Sequence, residues 1–234
     1  LQTWSSLVTA ASPPPPGKIL WGVDSVSFIT SSFLSQIKGT FGTPQFVGRY
    51  IDARSFTPMN SSEAAFIHSQ GIHILPILSD FGGDTGLSTG VSKAHDALSK
   101  ASALGIPKGR ILIADVENGS AVNAAFIEGW YNTITAAGYV AGYYENPLAG
   151  SSEFDGAFCS AISADAGVAK ATLYSTEPSR GRTSRAGMPS FAPSGVLCNG
   201  QNRGGSTRIW QYGLQGNGSV NIDTDEIQSS VPLW

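Results

Sequence analysis

The chain has 234 residues, of which 41% are hydrophobic and only 13% charged, with a formal net charge of −3. That composition excludes a disordered chain, and the length accommodates a substantial core, as one α/β barrel or two smaller domains. A weakly acidic balance excludes electrostatic capture of nucleic acid as the main activity, and no apolar run approaches the ~20 residues needed to cross a bilayer.

Residues 1–17 are small and polar and end in Pro13-Pro14-Pro15-Pro16-Gly17, which reads as a stiff Pro-rich N-terminal arm or linker. The basic segment and apolar core of a signal peptide are missing from it, as they are from a secreted protein that has already shed its signal. Residues 18–234 are expected to form a single domain. Within it, short β-type runs alternate with segments of helical period: Ile19 to Val23 then Ser31 to Ile37, Phe46 to Ile51 then Ser61 to Gln70, Ile72 to Leu78 then Ser88 to Leu104. The alternation continues through Ile111 to Ala114, Ala121 to Ala137, Val140 to Tyr144, Phe154 to Ala164 and Ala171 to Tyr174. Ser61 or Ser62 is the expected cap of the second helix, with Glu63 complementing the helix dipole. Gly71, Gly105 and Gly138 stand where a helix gives way to the next strand, the place for a left-handed residue. Beyond residue 175 the pattern weakens, and only Gly195 to Cys198 and Arg208 to Tyr212 look strand-like. Regular alternation without a glycine-rich dinucleotide fingerprint predicts an α/β fold, a modified TIM-type (β/α)8 barrel with irregular last units.

Arg180, Arg182 and Arg185 form a basic patch in sequence, read as a solvated loop. Cys159 and Cys198 are compatible with one bridge in an oxidising compartment or with two buried thiols. His68, His73 and His95 lack metal-ligand spacing, and no G-x-S-x-G elbow or Walker-type loop is present, so neither metal nor cofactor is expected.

In a parallel barrel, functional residues gather at the C-terminal ends of the strands. Those ends carry Asp24, then Arg49 and Tyr50, Asp80, Asp115 and Glu117, Tyr143 to Glu145, and Trp210 to Tyr212. The sharpest feature is Ile111-Leu112-Ile113-Ala114-Asp115-Val116-Glu117. An apolar strand that turns acidic places Asp115 and Glu117 on one face, about 6.5–7 Å apart at Cα. Two such carboxylates cannot both ionise freely, so one holds a proton near neutral pH, and a proton donor beside a charged partner is what glycosidic cleavage requires. The plainer alternative makes Asp115 a helix cap and Glu117 a solvated loop residue. Asp24 is the second acidic strand end, although an aspartate there often caps a helix. Asp223, Asp225 and Glu226, beyond the last apolar run, either form a third acidic arm or line a surface loop. Trp21, Tyr50, Tyr143, Tyr144, Trp210 and Tyr212 suit a sugar site, because pyranose faces stack on aromatic rings; no more than about half of them are expected there, the rest in the core. Arg49 either pairs with a rim carboxylate or grips an acidic sugar substituent.

Gly22-Val23-Asp24, Asp115-Val116-Glu117, and Ile209-Trp210-Gln211-Tyr212 followed by Asn221-Ile222-Asp223 resemble the family-25 glycoside hydrolases, the muramidases. A closer resemblance, from Ile19 to Ile227, is to the bacterial and fungal glycoside-hydrolase-like domains of unknown function related to that family. Its carriers are Gly22-Val23-Asp24-Ser25, Gly48-Arg49-Tyr50, Asp115-Val116-Glu117-Asn118 and Gly142-Tyr143-Tyr144. The resemblance implies a modified β/α barrel, a secreted or cell-surface location and a cell-wall or other polysaccharide ligand of the peptidoglycan type. It also implies Glu117 as general acid, Asp115 orienting or stabilising the reacting sugar, Asp24 in the acidic cluster, and Asp223 as a looser match to a late aspartate. The segment between the fifth strand and the Trp-Gln-Tyr motif departs from the muramidases and holds both cysteines.

Two functions compete on this reading. The first is a glycoside hydrolase acting on a cell-wall or other extracellular polysaccharide, with Glu117, Asp115 and Asp24 catalytic. The second is a non-catalytic glycan-binding barrel that has lost turnover. Either way the substrate-binding set is Arg49, Tyr50, Asp80, Tyr143, Tyr144, Glu145, Trp210, Gln211 and Asp223, and the protein is expected to be a monomer without a membrane span.

Overall fold

The computed structural model describes residues 17–52, 57–79, 81, 84–117, 122–147, 153–177, 180–198, 201–202, 207–215 and 220–234. The Pro-rich segment 1–16 and Asp80 lie outside the described residues. Five strand-helix units follow one another: β1 (Ile19–Ser25) and α1 (Ser31–Thr40), β2 (Phe46–Tyr50) and α2 (Ser61–Ser69), β3 (His73–Leu78) and α3 (Leu87–Leu104), β4 (Ile111–Asp115) and α4 (Ala124–Ala136), β5 (Val140–Glu145) and α5 (Glu153–Ala164). After β6 (Thr172–Thr176) the described residues hold only a 3-10 turn and the two-residue strands β7 (Leu197–Cys198) and β8 (Gln201–Asn202), before β9 (Thr207–Gly213) and β10 (Asp223–Gln228).

The barrel closes in the order β1-β10-β9-β6-β5-β4-β3-β2. Its pairs are parallel except that β10 is antiparallel to both β1 and β9. This is the predicted modified barrel with irregular last units. The final strand starts at Asp223, where the acidic residues had been expected to follow it. Its reversal brings its N-terminal end to the rim where the parallel strands finish, Asp24 opposite Asp223.

Strand alternation sorts the side chains into two layers. Leu20, Phe46, Leu75, Ile77, Ile111, Ile113, Ile209 and Ile227 fill the interior. Trp21, Val47, Ile74, Leu112, Ala141 and Leu173 belong to the outer core that the helices cover. Beyond β10 the chain turns under the barrel. Val231 and Leu233 join the interior, and Trp234 exchanges backbone hydrogen bonds of 2.7 and 3.0 Å with Ile74, so the end opposite the acidic rim is closed.

Local chemistry explains the element boundaries. Asn60, one residue before the expected serines, caps α2 by accepting the Glu63 N–H at 2.9 Å. Gly105 ends α3 in the left-handed region, at φ 79°. α3 and α4 touch through paired glycines: a Cβ on Gly90 would lie 2.3 Å from the Phe126 carbonyl oxygen, and one on Gly129 2.5 Å from that of Leu87.

The insertion between β6 and β9 is held down covalently, since Cys159 of α5 and Cys198 of β7 form a disulfide. The basic patch is a loop in which Arg180 and Arg185 are exposed, as expected, and Arg182 is half-buried, yet each of the three has a partner. Arg182 donates to the carbonyls of Val220 and Ile222 and lies over the Phe41 ring, Arg180 lies over Trp210, and Arg185 donates to the Thr43 carbonyl.

Candidate active site

The acidic cluster sits at the mouth of the barrel, supplied by β1, β4 and β10. Asp24 enters from β1, where the missing side chain of Gly48 makes room for it: a Cβ at Gly48 would stand 2.7 Å from the Asp24 Cβ. Asp115 and Glu117 come from the end of β4, as their spacing predicts. The Tyr50 hydroxyl donates to Asp115 Oδ2 at 3.3 Å and the Glu117 N–H to Asp115 Oδ1 at 3.3 Å. Asp223 and Asp225 enter from β10. Gln211 of β9 ties the clusters together, donating from Nε2 to Asp24 Oδ2 at 3.0 Å and to Asp223 Oδ2 at 3.2 Å, while Thr176 Oγ1 donates to its Oε1 at 2.6 Å. Tyr144 stacks on Tyr174 with ring centroids 4.0 Å apart. Asp24, Tyr50, Glu117, Tyr144, Leu214, Asn221 and Asp223 are among the walls of a cavity of about 160 Å³.

So many carboxyls in one desolvated space cannot all be anions. Burial pushes Asp115 up to about 7. Burial, reinforced by the Asp115, Asp24 and Asp223 charges, pushes Glu117 up to about 8. Asp223 rises to about 7 by burial and the Asp24 charge, and burial also raises Asp24 and Asp225. Asp115 accepts from Tyr50 and from the Glu117 N–H, and Glu117 from Tyr144, bonds that favour each anion against burial, so the cluster at neutral pH holds acids beside carboxylates.

Of the residues expected to bind substrate, Tyr50, Tyr144, Gln211 and Asp223 are brought to this site. Four others face away from it, because adjacent residues of a strand point to opposite faces. Arg49 is fully buried behind β2, bonded to Glu63 of α2 at 2.7 and 3.1 Å and to the Ser25 carbonyl at 2.9 Å, so its partner is neither a rim carboxylate nor a sugar. Tyr143 donates to the Ile127 carbonyl of α4 at 2.8 Å and packs on Phe154 and Phe158. Glu145 is buried in the outer layer, where the nearby charges are Asp155 and Glu177. Trp210 packs on Phe191 and Tyr212. Trp21 and Tyr212 are outward too, joined by a 2.9 Å bond from Nε1 to the hydroxyl.

Sequence reasoning missed Tyr174, and left Asp225 undecided between site and surface. Both had a signal, since Tyr174 ends the sixth apolar run and Asp225 shares the parity of Asp223. Among the described residues no group of three or more His, Cys, Asp and Glu side chains is arranged to hold a metal, and no helix is long and apolar enough to cross a membrane.

A family model described as "Rv2525c-like, glycoside hydrolase-like domain" matches residues 43–227. The chain is 31% identical to an uncharacterised protein of B. stearothermophilus known from a 1.07 Å crystal structure, with a TM-score of 0.83 over 92% of this chain and 100% of that one. A family GH25 lysozyme from Aspergillus fumigatus shares the fold at 13% identity and TM-score 0.54, over 90% of this chain and 94% of that one. The modular autolysin LytC from Streptococcus pneumoniae, in complex with a synthetic peptidoglycan ligand, shares it at 10% identity and TM-score 0.55, over 89% of this chain and 46% of that one. A search of curated protein sequences finds no match. The family match over most of the chain and the full-length structural likeness agree: the chain belongs to the Rv2525c-like, glycoside hydrolase-like domain family.

Proposed function

We propose that this protein is a glycoside hydrolase acting outside the cell on a cell-wall or other extracellular polysaccharide. The observation that carries the reading is the pairing of Asp115 and Glu117 at the end of β4, inside a desolvated cluster of carboxyls where burial raises both. Glu117 then donates to the departing glycosidic oxygen, and the Asp115 carboxylate, held by Tyr50 and the Glu117 N–H, faces the positive charge that develops on the sugar ring. Asp24 and Asp223 offer acceptors to sugar hydroxyls, and Tyr50 and Tyr144 give the wall its aromatic surface. The cavity, at about 160 Å³, is below the ~300–1,000 Å³ of sites that enclose a whole drug-sized ligand, which fits one ring of a polymer entering while the rest stays outside. The disulfide favours an oxidising compartment, and the modular autolysin LytC, part of which shares this fold, forms a complex with a synthetic peptidoglycan ligand.

The test is a polysaccharide panel with product analysis, run on the unmodified protein and on Glu117→Gln. Loss of a general acid lowers release of reducing ends by about 10²–10⁴-fold while glycan binding persists. Glycan binding with no release from any substrate by the unmodified protein overturns hydrolysis and leaves the non-catalytic glycan-binding barrel. The profile of kcat/KM against pH is expected to be a bell. It falls on the alkaline side as Glu117 loses its proton near about 8 and on the acid side as Asp115 gains one near about 7.

A further inference from the structure

Beneath the pocket, a single hydroxyl lies between two carboxyl groups. Tyr174 Oη is 2.9 Å from Asp24 Oδ2 and 2.7 Å from Asp225 Oδ1. A phenol has one proton to give. Two carboxylate acceptors at those distances therefore require a second proton, carried by one of the carboxyls and donated back to the tyrosine oxygen. The surroundings decide which. Asp24 Oδ2 already accepts from Gln211 Nε2 at 3.0 Å, and turning the amide round would set its oxygen against the carboxyl oxygens of both Asp24 and Asp223. Asp24 also borders the cavity. Asp225 is 0% exposed, and its second oxygen has no hydrogen-bond partner among the described residues. The ionisable groups facing it are Asp24 of β1, Tyr174 of β6, Tyr212 of β9 and Asp223 of its own strand, and none of them is a cation. An anion at Asp225 would be uncompensated, whereas an anion at Asp24 has two donors.

We propose that Asp225 is a neutral carboxylic acid that holds Asp24 as an anion through the Tyr174 hydroxyl, and so is a positioning residue of the acidic site. The chain of donors runs from Asp225 Oδ1–H to Tyr174 Oη, and from Tyr174 Oη–H to Asp24 Oδ2, with Gln211 closing it from the far side. Burial, which raises Asp225 well above the ordinary carboxyl range, acts in the same direction. The protonation of Asp225 stands on geometry alone; its effect on turnover rests on the hydrolase reading.

Substitution by asparagine separates the two carboxyls, because an amide replaces a neutral acid as donor but does not replace an anion. Asp225→Asn is expected to keep hydrolysis within about threefold, Asp225→Ala to lose about tenfold or more, and Asp24→Asn to lose at least as much. Tyr174→Phe removes the bridge without touching either carboxyl, and moves the acid limb of the pH profile above the position that Asp115 sets, because Asp24, having lost a donor, becomes the later of the two to ionise. A purely structural role for Tyr174 would leave that limb in place.

A second readout needs no turnover. A proton held only by the folded state lowers the folding constant by about tenfold per pH unit, once the pH is above the ordinary carboxyl range and until Asp225 ionises in the fold. Denaturant unfolding of the unmodified protein is therefore steeper in pH than that of Asp225→Asn by about one proton. Equal slopes, or a loss of hydrolysis in Asp225→Asn as deep as in Asp24→Asn, overturns the proposal. Absent hydrolysis in the unmodified protein with the slope difference present overturns only the hydrolase reading.

Discussion

Arg49 carries charge where no water reaches, and Glu63 is its counterion, both side chains fully buried. The guanidinium spans three pieces of backbone support: α2 through Glu63, the end of β1 through the Ser25 carbonyl, and the Thr57 carbonyl beyond β2. It therefore braces the strand end that presents Asp24. Glu63→Gln leaves an uncompensated buried cation, and is expected to destabilise the fold by about 3–5 kcal/mol, measured by denaturant unfolding. A residue that merely complemented a helix dipole would cost under about 1 kcal/mol. That Asp24, Asp115 and Glu117 meet was legible because each stands at the C-terminal end of a strand in one parallel barrel. The outward-facing residues were misplaced for a simple reason. Arg49 and Tyr50, Tyr143 and Tyr144, and Trp210 and Gln211 are neighbours in a strand, so only one of each pair can look into the pocket. Proximity to a strand end had admitted both.

Between elements, α3 and α4 cross closely at Gly90 and Gly129. Alanine ordinarily favours a helix interior over glycine by about 1 kcal/mol, so substitution there sets propensity against packing. With 2.3 to 2.5 Å to a facing carbonyl oxygen, packing wins. Gly129→Ala is expected to lower the unfolding midpoint, with a net cost of about 1–3 kcal/mol from forced separation of the helices. The disulfide acts at the same scale. Cys159 and Cys198 are 39 residues apart, a loop whose closure in the unfolded chain is worth about 4 kcal/mol. Reduction, or the double substitution to serine, is expected to loosen the insertion first. Limited proteolysis within residues 180–198 reads this directly, and cleavage no faster than in the bridged protein would count against it. The five strand-helix units were legible from alternation of period. The insertion was not, because its order comes from the disulfide and from Arg180, Arg182 and Arg185 reaching distant backbone and rings, none of which leaves a periodic trace.

For the molecule as a whole, the raised carboxyls make stability depend on pH. Asp115, Glu117 and Asp223 hold protons in the fold, to about 7, about 8 and about 7, that the unfolded chain releases near 3.8 to 4.5. A proton bound more tightly by the native state means that stability falls as pH rises. The loss from these three is expected to begin above pH 3.8 and to be complete once the pH has passed about 8. Asp223→Asn should flatten that slope by up to about one proton, which urea titrations across the range measure. A profile in which the unmodified protein gains stability from pH 5 to 8 would show instead that these carboxyls are ordinary anions.

The reversed strand β10 has a consequence for how the protein is made. Asp24 and Gln211 are 187 residues apart, and β1 finds its second neighbour only when Asp223 to Gln228 arrive. Contacts this distant in sequence form late, and slowly. While a ribosome has released only β1 to β9, the sheet is open along one edge and the pocket has neither Asp223 nor Asp225. The acidic site is thus completed only when β10 joins the strands made before it, and a chain that lacks that strand keeps Asp24, Asp115 and Glu117 but not Asp223 and Asp225.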